Sequence, residues 1–203
     1  MKAVLISIKP KYVELIANGE KTIEVRKSAP KEVPFKAYIY ETKDATEMPW
    51  VDEDGHFIYK GRGQVIGEFV CDRIEEFHEY ELNPFKKFYE FEKARLDLFL
   101  KESCLSYNEV CDYRKNLPYY KPLYAWHISD LKIYDEPKPI MQFYKPCPDK
   151  FHCCEICKYG SVVLSPDEEE YALYHGGNYD TYETVCRNIV TRPPQSWCYV
   201  EEL

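Results

Sequence analysis

The residues with the most chemistry to offer in this 203-residue chain fall in two places. The first is Lys21-Thr22-Ile23-Glu24-Val25-Arg26, with Lys9 a short way upstream. Polar and apolar side chains alternate over 22–26, which is the period of a β-strand. Ile23 and Val25 are therefore expected to face a core, while Thr22, Glu24 and Arg26 share the opposite face. Lys and Arg there suit a phosphate or carbonyl oxygen, and Glu24 suits an exocyclic amine. Lys9, Lys21, Thr22, Glu24 and Arg26 are thus the candidate ligand-binding residues. The same group has a catalytic reading, in which Glu24 is a general base toward water and Lys21 steadies an oxyanion, with Thr22 a further candidate. An i, i+3 ion pair without chemistry is the plainer alternative for Lys21 and Glu24.

The second place is the cysteine-rich last quarter. Six of the 9 Cys, namely Cys147, Cys153, Cys154, Cys157, Cys186 and Cys198, lie there. An odd total with no secretory leader does not read as a disulfide framework. Cys154-Glu155-Ile156-Cys157 has the spacing that lets two thiolates bind one tetrahedral ion from a tight turn. A structural zinc needs two more ligands, and Cys147 and Cys186 are the choice, with His152, Cys153 and His175 competing. A redox dithiol lacks the βαβ context it would need, and reduced thiols without metal are the plain alternative. Cys71 and Cys198 sit on strand-like runs and read as core residues.

Charge divides as unevenly as cysteine. The formal net charge of -8 comes from 27 basic and 35 acidic residues, which argues against a protein that coats nucleic acid by electrostatics alone. Residues 1–43 nevertheless hold nine basic and five acidic residues, so that segment is +4 and the remainder -12. A local positive excess on an acidic protein suits a small anionic site better than a long phosphate track. With 19 Tyr, 10 Phe and 3 Trp, faces for stacking a base are plentiful, and Tyr12, Tyr40 and Trp50 are the candidates. No apolar run has the length of a membrane span or a signal peptide, so the expectation is a soluble, cytoplasmic protein.

The elements that must position these residues follow from pattern. Ala3 to Lys9 reads as a strand, and Pro10 opens a short helix whose apolar face is Tyr12, Leu15 and Ile16, stopped at Asn18-Gly19. Strands are expected over Ala37 to Thr42 and Gly63 to Arg73, where Gly67 marks a bulge or corner. Met48 to Lys60 reads as a loop or irregular hairpin turning at Asp54-Gly55. Asn83-Pro84 opens a helix running to about Glu102, and Ser106 to Glu109 has capping-box spacing before a second helix. Leu123 to Tyr134 reads as one central strand, broken at Asp135 to Pro139. Ser196 to Val200 is strand-like and is expected to pack back on the body, anchored by Trp197.

Ile8-Lys9-Pro10-Lys11-Tyr12 followed by Ile16-Ala17-Asn18-Gly19-Glu20-Lys21-Thr22-Ile23-Glu24-Val25-Arg26 resembles the signature of the ASCH domain, a member of the PUA-like superfamily. Val65-Ile66-Gly67-Glu68-Phe69 and Trp126-His127-Ile128 fit its later strands loosely. The resemblance implies an α+β fold, a bent β-barrel with flanking helices and a cleft for RNA or nucleotide-like ligands. It covers 1–136, leaving 137–203 as a Cys-rich, zinc-stapled extension that resembles those of bacterial and prophage members. Some members are amidohydrolases acting on acylated cytidine through a Lys, a Thr and a Glu. Their nucleophilic Thr lies two residues before the motif's Arg, where this chain has Glu24, so a Thr-ester mechanism is not implied although Lys21 is kept. The leading expectation is binding of RNA or a modified nucleotide. The alternatives are an amidohydrolase using Lys21 and Glu24, or a phage or mobile-element accessory protein that binds a host protein.

Overall fold

The structure is a computed structural model that describes residues 2–43, 50–51, 57–58, 61–81, 90–146, 161–162, 185–186 and 188–203. The chain begins β1 (Lys2–Ile8), α1 (Pro10–Ala17), β2 (Ile23–Arg26) and β3 (Phe35–Glu41). Two short strands, β4 (Trp50–Val51) and β5 (Phe57–Ile58), pair antiparallel, and β6 (Val65–Cys71) and β7 (Ile74–Phe77) follow. Then come α2 (Glu90–Ser103), α3 (Tyr107–Arg114), β8 (Leu123–His127), β9 (Ser129–Lys138) and a 3-10 turn at Ile140–Gln142. The last strands are β10 (Ser161–Val162), β11 (Val185–Cys186) and β12 (Trp197–Val200).

The class is α+β. Five strands form one sheet in the order β12-β1-β3-β6-β9, three form a second in the order β2-β8-β7, and β10 pairs with β11. In the larger sheet β1 and β3 run parallel and the other pairings are antiparallel. Near-continuous apolar runs in β1 and β3 suit this central position, because both sheet faces are covered. Val4, Ile6 and Ile8 pack with Val13 and Ile16 of α1 on one face, while Ala3 and Leu5 meet Tyr38, Phe143 and Val200 on the other. Under α2 and α3 a separate core holds Ile23, Val25, Phe77, Leu96, Phe99 and Val110.

The two sheets are joined where the chain turns a corner. β6 gives way to β7 across Asp72-Arg73, and β8 to β9 across Ile128, next to Asp130 at φ 46°. The single strand expected over Leu123 to Tyr134 is thus two strands in different sheets, because residues on either side of Ile128 pair with different partners. Among the described residues these corners link two sheets and no barrel closes. Gly67 is a bulge position as expected: the β6–β9 register shifts beside it, and a Cβ there would lie 2.5 Å from the Lys132 carbonyl oxygen. The break expected at Asp135 comes later, since β9 runs on to Lys138; as an edge strand it tolerates Pro137 without losing a ladder bond on its open side. Tyr40, expected as a stacking face, is instead buried in the core with Leu5 and Val65, because its β3 position faces inward. No described helix is long and apolar enough to cross a membrane.

Candidate functional site

Pro10 stands in the first turn of α1, where its missing N–H costs nothing, and Gly19 at φ 74° ends the helix in the left-handed conformation. The Glu20 and Lys21 amides then both donate to the Leu15 carbonyl, at 2.9 and 3.0 Å, which fixes the entry into β2. Lys21 is 2% exposed. Its Nζ donates to the Ser103 carbonyl oxygen at 2.7 Å, at the C-terminal end of α2 where the helix dipole favours a cation. It also lies 3.3 Å from Glu24 Oε2. The other carboxylate oxygen, Oε1, is 3.0 Å from Arg26 Nη2, and Arg26 Nη2 donates to the Ser7 carbonyl at 2.5 Å.

The structure brings Lys21, Glu24 and Arg26 together, Glu24 and Arg26 through the strand period as expected and Lys21 from the turn before β2, while Thr22, expected on the same face, is exposed. It does not leave these three on an open face: all four residues of β2 are buried. Ile23 and Val25 face the core under α2 and α3, and the other face is covered as well. Thr22 and Lys9 are both exposed. Thr22 acts through its backbone, its amide donating to Glu102 O and its carbonyl accepting from the Ile128 amide, both at 2.9 Å. Lys9 is the N-cap residue of α1.

Two tyrosines neighbour the cluster. Tyr12 of α1 is half-buried, with Lys21 Nζ 5.3 Å from its ring centroid. Burial pushes the Tyr12 phenol up, and the charges of Glu109 and Glu24 add to the effect against Lys11. Tyr113 of α3 is raised by burial too, with Arg26 opposing and Glu24 reinforcing. Both rings thus feel the Glu24 carboxylate. Lys11 and Glu109 pair at 3.2 Å between α1 and α3, and Lys27 Nζ sits 4.8 Å from the Tyr113 centroid. Tyr12 was legible in the sequence as an aromatic beside the motif. Tyr113 was not, since 87 residues of chain separate it from Arg26 and only the capping box of α3 places its helix.

Buried charge is costly unless paired and hydrogen-bonded. Here two cations share one carboxylate, and Arg26 Nε has no hydrogen-bond partner among the described residues. The cluster holds an excess of one positive charge and an unused donor. An unpaired guanidinium N–H beside a net positive charge is chemistry suited to an anion or a carbonyl oxygen.

The ASCH domain family model matches residues 6–145. The chain belongs to the ASCH domain family. Two crystal structures of point variants of the ASCH protein from Zymomonas mobilis are similar in fold at 15% identity. The first covers 100% of this chain and 92% of that one at a TM-score of 0.51. The second covers 99% and 89% at 0.50, also at 15% identity. The N-terminal domain of Staphylothermus marinus McrB superimposes more loosely, at 13% identity and a TM-score of 0.38 over 86% of this chain and 94% of that one. No curated relative matches the sequence. For this ASCH chain the two Zymomonas mobilis likenesses speak to the fold, whose motif strand is β2.

Of the expected zinc ligands, Cys147, Cys154 and Cys157 lie outside the described residues, as do the competitors His152, Cys153 and His175. Cys186 falls on β11, where its backbone pairs with Ser161. Cys71 is buried in the core as expected, and burial pushes its thiol up to about 12.

Proposed function

We propose that this ASCH chain binds an unpaired nucleobase or a nucleotide at the Lys21–Glu24–Arg26 cluster. The observation that carries the reading is the unequal charge of the buried cluster, two cations against one carboxylate. A phosphate or carbonyl oxygen of the ligand takes the spare donor capacity of Arg26 and Lys21, and Glu24 accepts from an exocyclic amine. Tyr12, the partly exposed ring at the edge of the cluster, is the side chain that moves to admit the ligand and then stacks on it. The nucleic-acid association of the family and the +4 charge of residues 1–43 support the same direction.

Calorimetric titration with cytidine and uridine monophosphates tests this. Wild type should bind at least one, and Lys21→Met should lose that binding while keeping a cooperative thermal transition. Equal binding by the variant removes the site assignment.

A second reading has its own observation. Lys21 Nζ and Glu24 Oε2, 3.3 Å apart and both buried, form a pair through which a proton can pass, as an amidohydrolase acting on an acylated nucleoside requires. Turnover of N4-acetylcytidine that disappears in Glu24→Gln would favour hydrolysis; nucleotide binding without turnover leaves the binding reading in place.

A further inference from the structure

We propose that the loop 117–121 is a stacking platform for an unpaired nucleic-acid strand, with Tyr119 and Tyr120 as the faces and Lys115 and Lys121 as phosphate contacts. This rests on the nucleotide-binding reading and extends it, since it makes the ligand a polymer.

The loop is held by one buried side chain. Arg114, at the end of α3, is 6% exposed. Its Nη1 donates to Leu117 O at 3.2 Å, and its Nη2 lies within bonding distance of Pro118 O, Tyr119 O and Lys121 O at 3.3, 2.9 and 2.8 Å. Backbone turns at Leu117 N to Arg114 O, 2.7 Å, and Lys121 N to Pro118 O, 2.9 Å, complete the frame. A guanidinium fixed on four carbonyls of one short loop removes the freedom such a loop otherwise keeps.

That rigid frame presents two adjacent rings to solvent. Tyr119 is 64% exposed and Tyr120 74%, above every other large apolar side chain among the described residues. Single exposed apolar residues are ordinary on a surface, but here two consecutive tyrosines stand on a backbone already fixed by Arg114, so part of the loop's ordering cost is met before a ligand arrives. The local charge suits a phosphate chain. In a protein with 35 acidic residues, positions 113–129 contain none, and the exposed cations there are Lys115 and Lys121, Arg114 being spent on the loop frame; Glu76, opposite Tyr124 on β7, is the neighbouring strand carboxylate. The nearby Glu79 carboxylate is engaged by Arg114 Nη1 at 3.2 Å. Position joins the platform to the site: Tyr124 of β8 pairs with Arg26 of β2, so the loop lies just beyond the Arg26 end of β2. A strand with one base at the cluster continues over Tyr119 and Tyr120.

Fluorescence anisotropy with a labelled oligouridine of about ten nucleotides tests the platform, using the full chain and the Tyr119→Ala/Tyr120→Ala double variant. Both side chains are exposed, so the thermal transition should be unchanged. Stacking losses of this kind predict oligonucleotide affinity at least about tenfold weaker, with mononucleotide affinity at the cluster unaltered. The proposal is overturned if the double variant binds the oligonucleotide as wild type does, or if wild type binds no oligonucleotide. Mononucleotide binding lost in Lys21→Met but intact in the tyrosine variant separates failure of the platform from failure of the site.

Discussion

Glu24 neutralises two buried cations at once, and that double duty sets what its replacement does. Glu24→Gln leaves Lys21 and Arg26 facing each other with no carboxylate, at 2% and 7% exposure. Breaking a buried pair from one side costs about 3–5 kcal/mol. Urea unfolding should show a loss in that range for Glu24→Gln and a smaller one for Lys21→Met, which keeps the Arg26–Glu24 pair; the reverse order would contradict the charge balance described. That Glu24 and Arg26 share a face was legible in the sequence from period-two alternation, and the Lys21–Glu24 contact from their i, i+3 spacing; that Thr22 would stand apart was not. The burial of the three charges was not legible either, because the elements neighbouring them include α3, more than eighty residues away. Tyr40 shows the same limit: an aromatic at a strand position reads as a possible platform until the opposite face of the sheet is known to be covered.

At the level of elements, α3 carries its own switch. Ser106 and Glu109 form a complete capping box, and the Ser106 amide and hydroxyl, with Lys11 beyond them, pull the Glu109 carboxyl down to about 2. Its folded value lies below the ordinary 4.5, so this contribution to stability is full above about pH 4.5 and is lost as pH falls through that value toward 2. The stability gap between wild type and Glu109→Gln should be present at pH 7 and shrink markedly by about pH 3; a gap independent of pH would show that the carboxylate charge is not what holds the cap. β12 is the other element with a clear consequence. It closes the edge of β1, Ser7 Oγ donates to Pro194 O at 2.6 Å, and Trp197 donates to Ser28 Oγ at 3.1 Å while its ring meets Trp126 at 5.7 Å. Trp197→Ala should cost about 1–3 kcal/mol in thermal or urea unfolding, and removing 196–203 should open β1 to proteolysis. Most strand and helix identities were readable from period and caps, but β7 was not expected, and the helix start expected at Asn83-Pro84 lies outside the described residues. The corner at Ile128 was not readable, since alternation runs straight through it and only pairing partners distinguish β8 from β9.

For the molecule as a whole, the -8 charge and the small cationic site predict a shallow salt dependence. With about three phosphate contacts, one at the cluster and two at Lys115 and Lys121, log affinity for single-stranded RNA should fall against log salt with a slope of about -2; a slope of about -5 or steeper would mean a broad electrostatic track instead. The cysteine cluster adds a metal prediction: if Cys147, Cys154, Cys157 and Cys186 hold a structural zinc, the purified chain carries about one zinc and Cys154→Ser loses it, by elemental analysis. The two-sheet frame matters because it buries three charges between a motif strand and helices distant in sequence, with one donor left over. The most direct test watches that donor: the Arg26 Nε–H resonance, assigned by its loss in Arg26→Lys, followed during titration with cytidine or uridine monophosphate. A saturable shift of this signal, absent in Lys21→Met, is the predicted result. A nucleotide that binds without moving it, or no binding by either nucleotide, would contradict the assignment of the cluster as the ligand site.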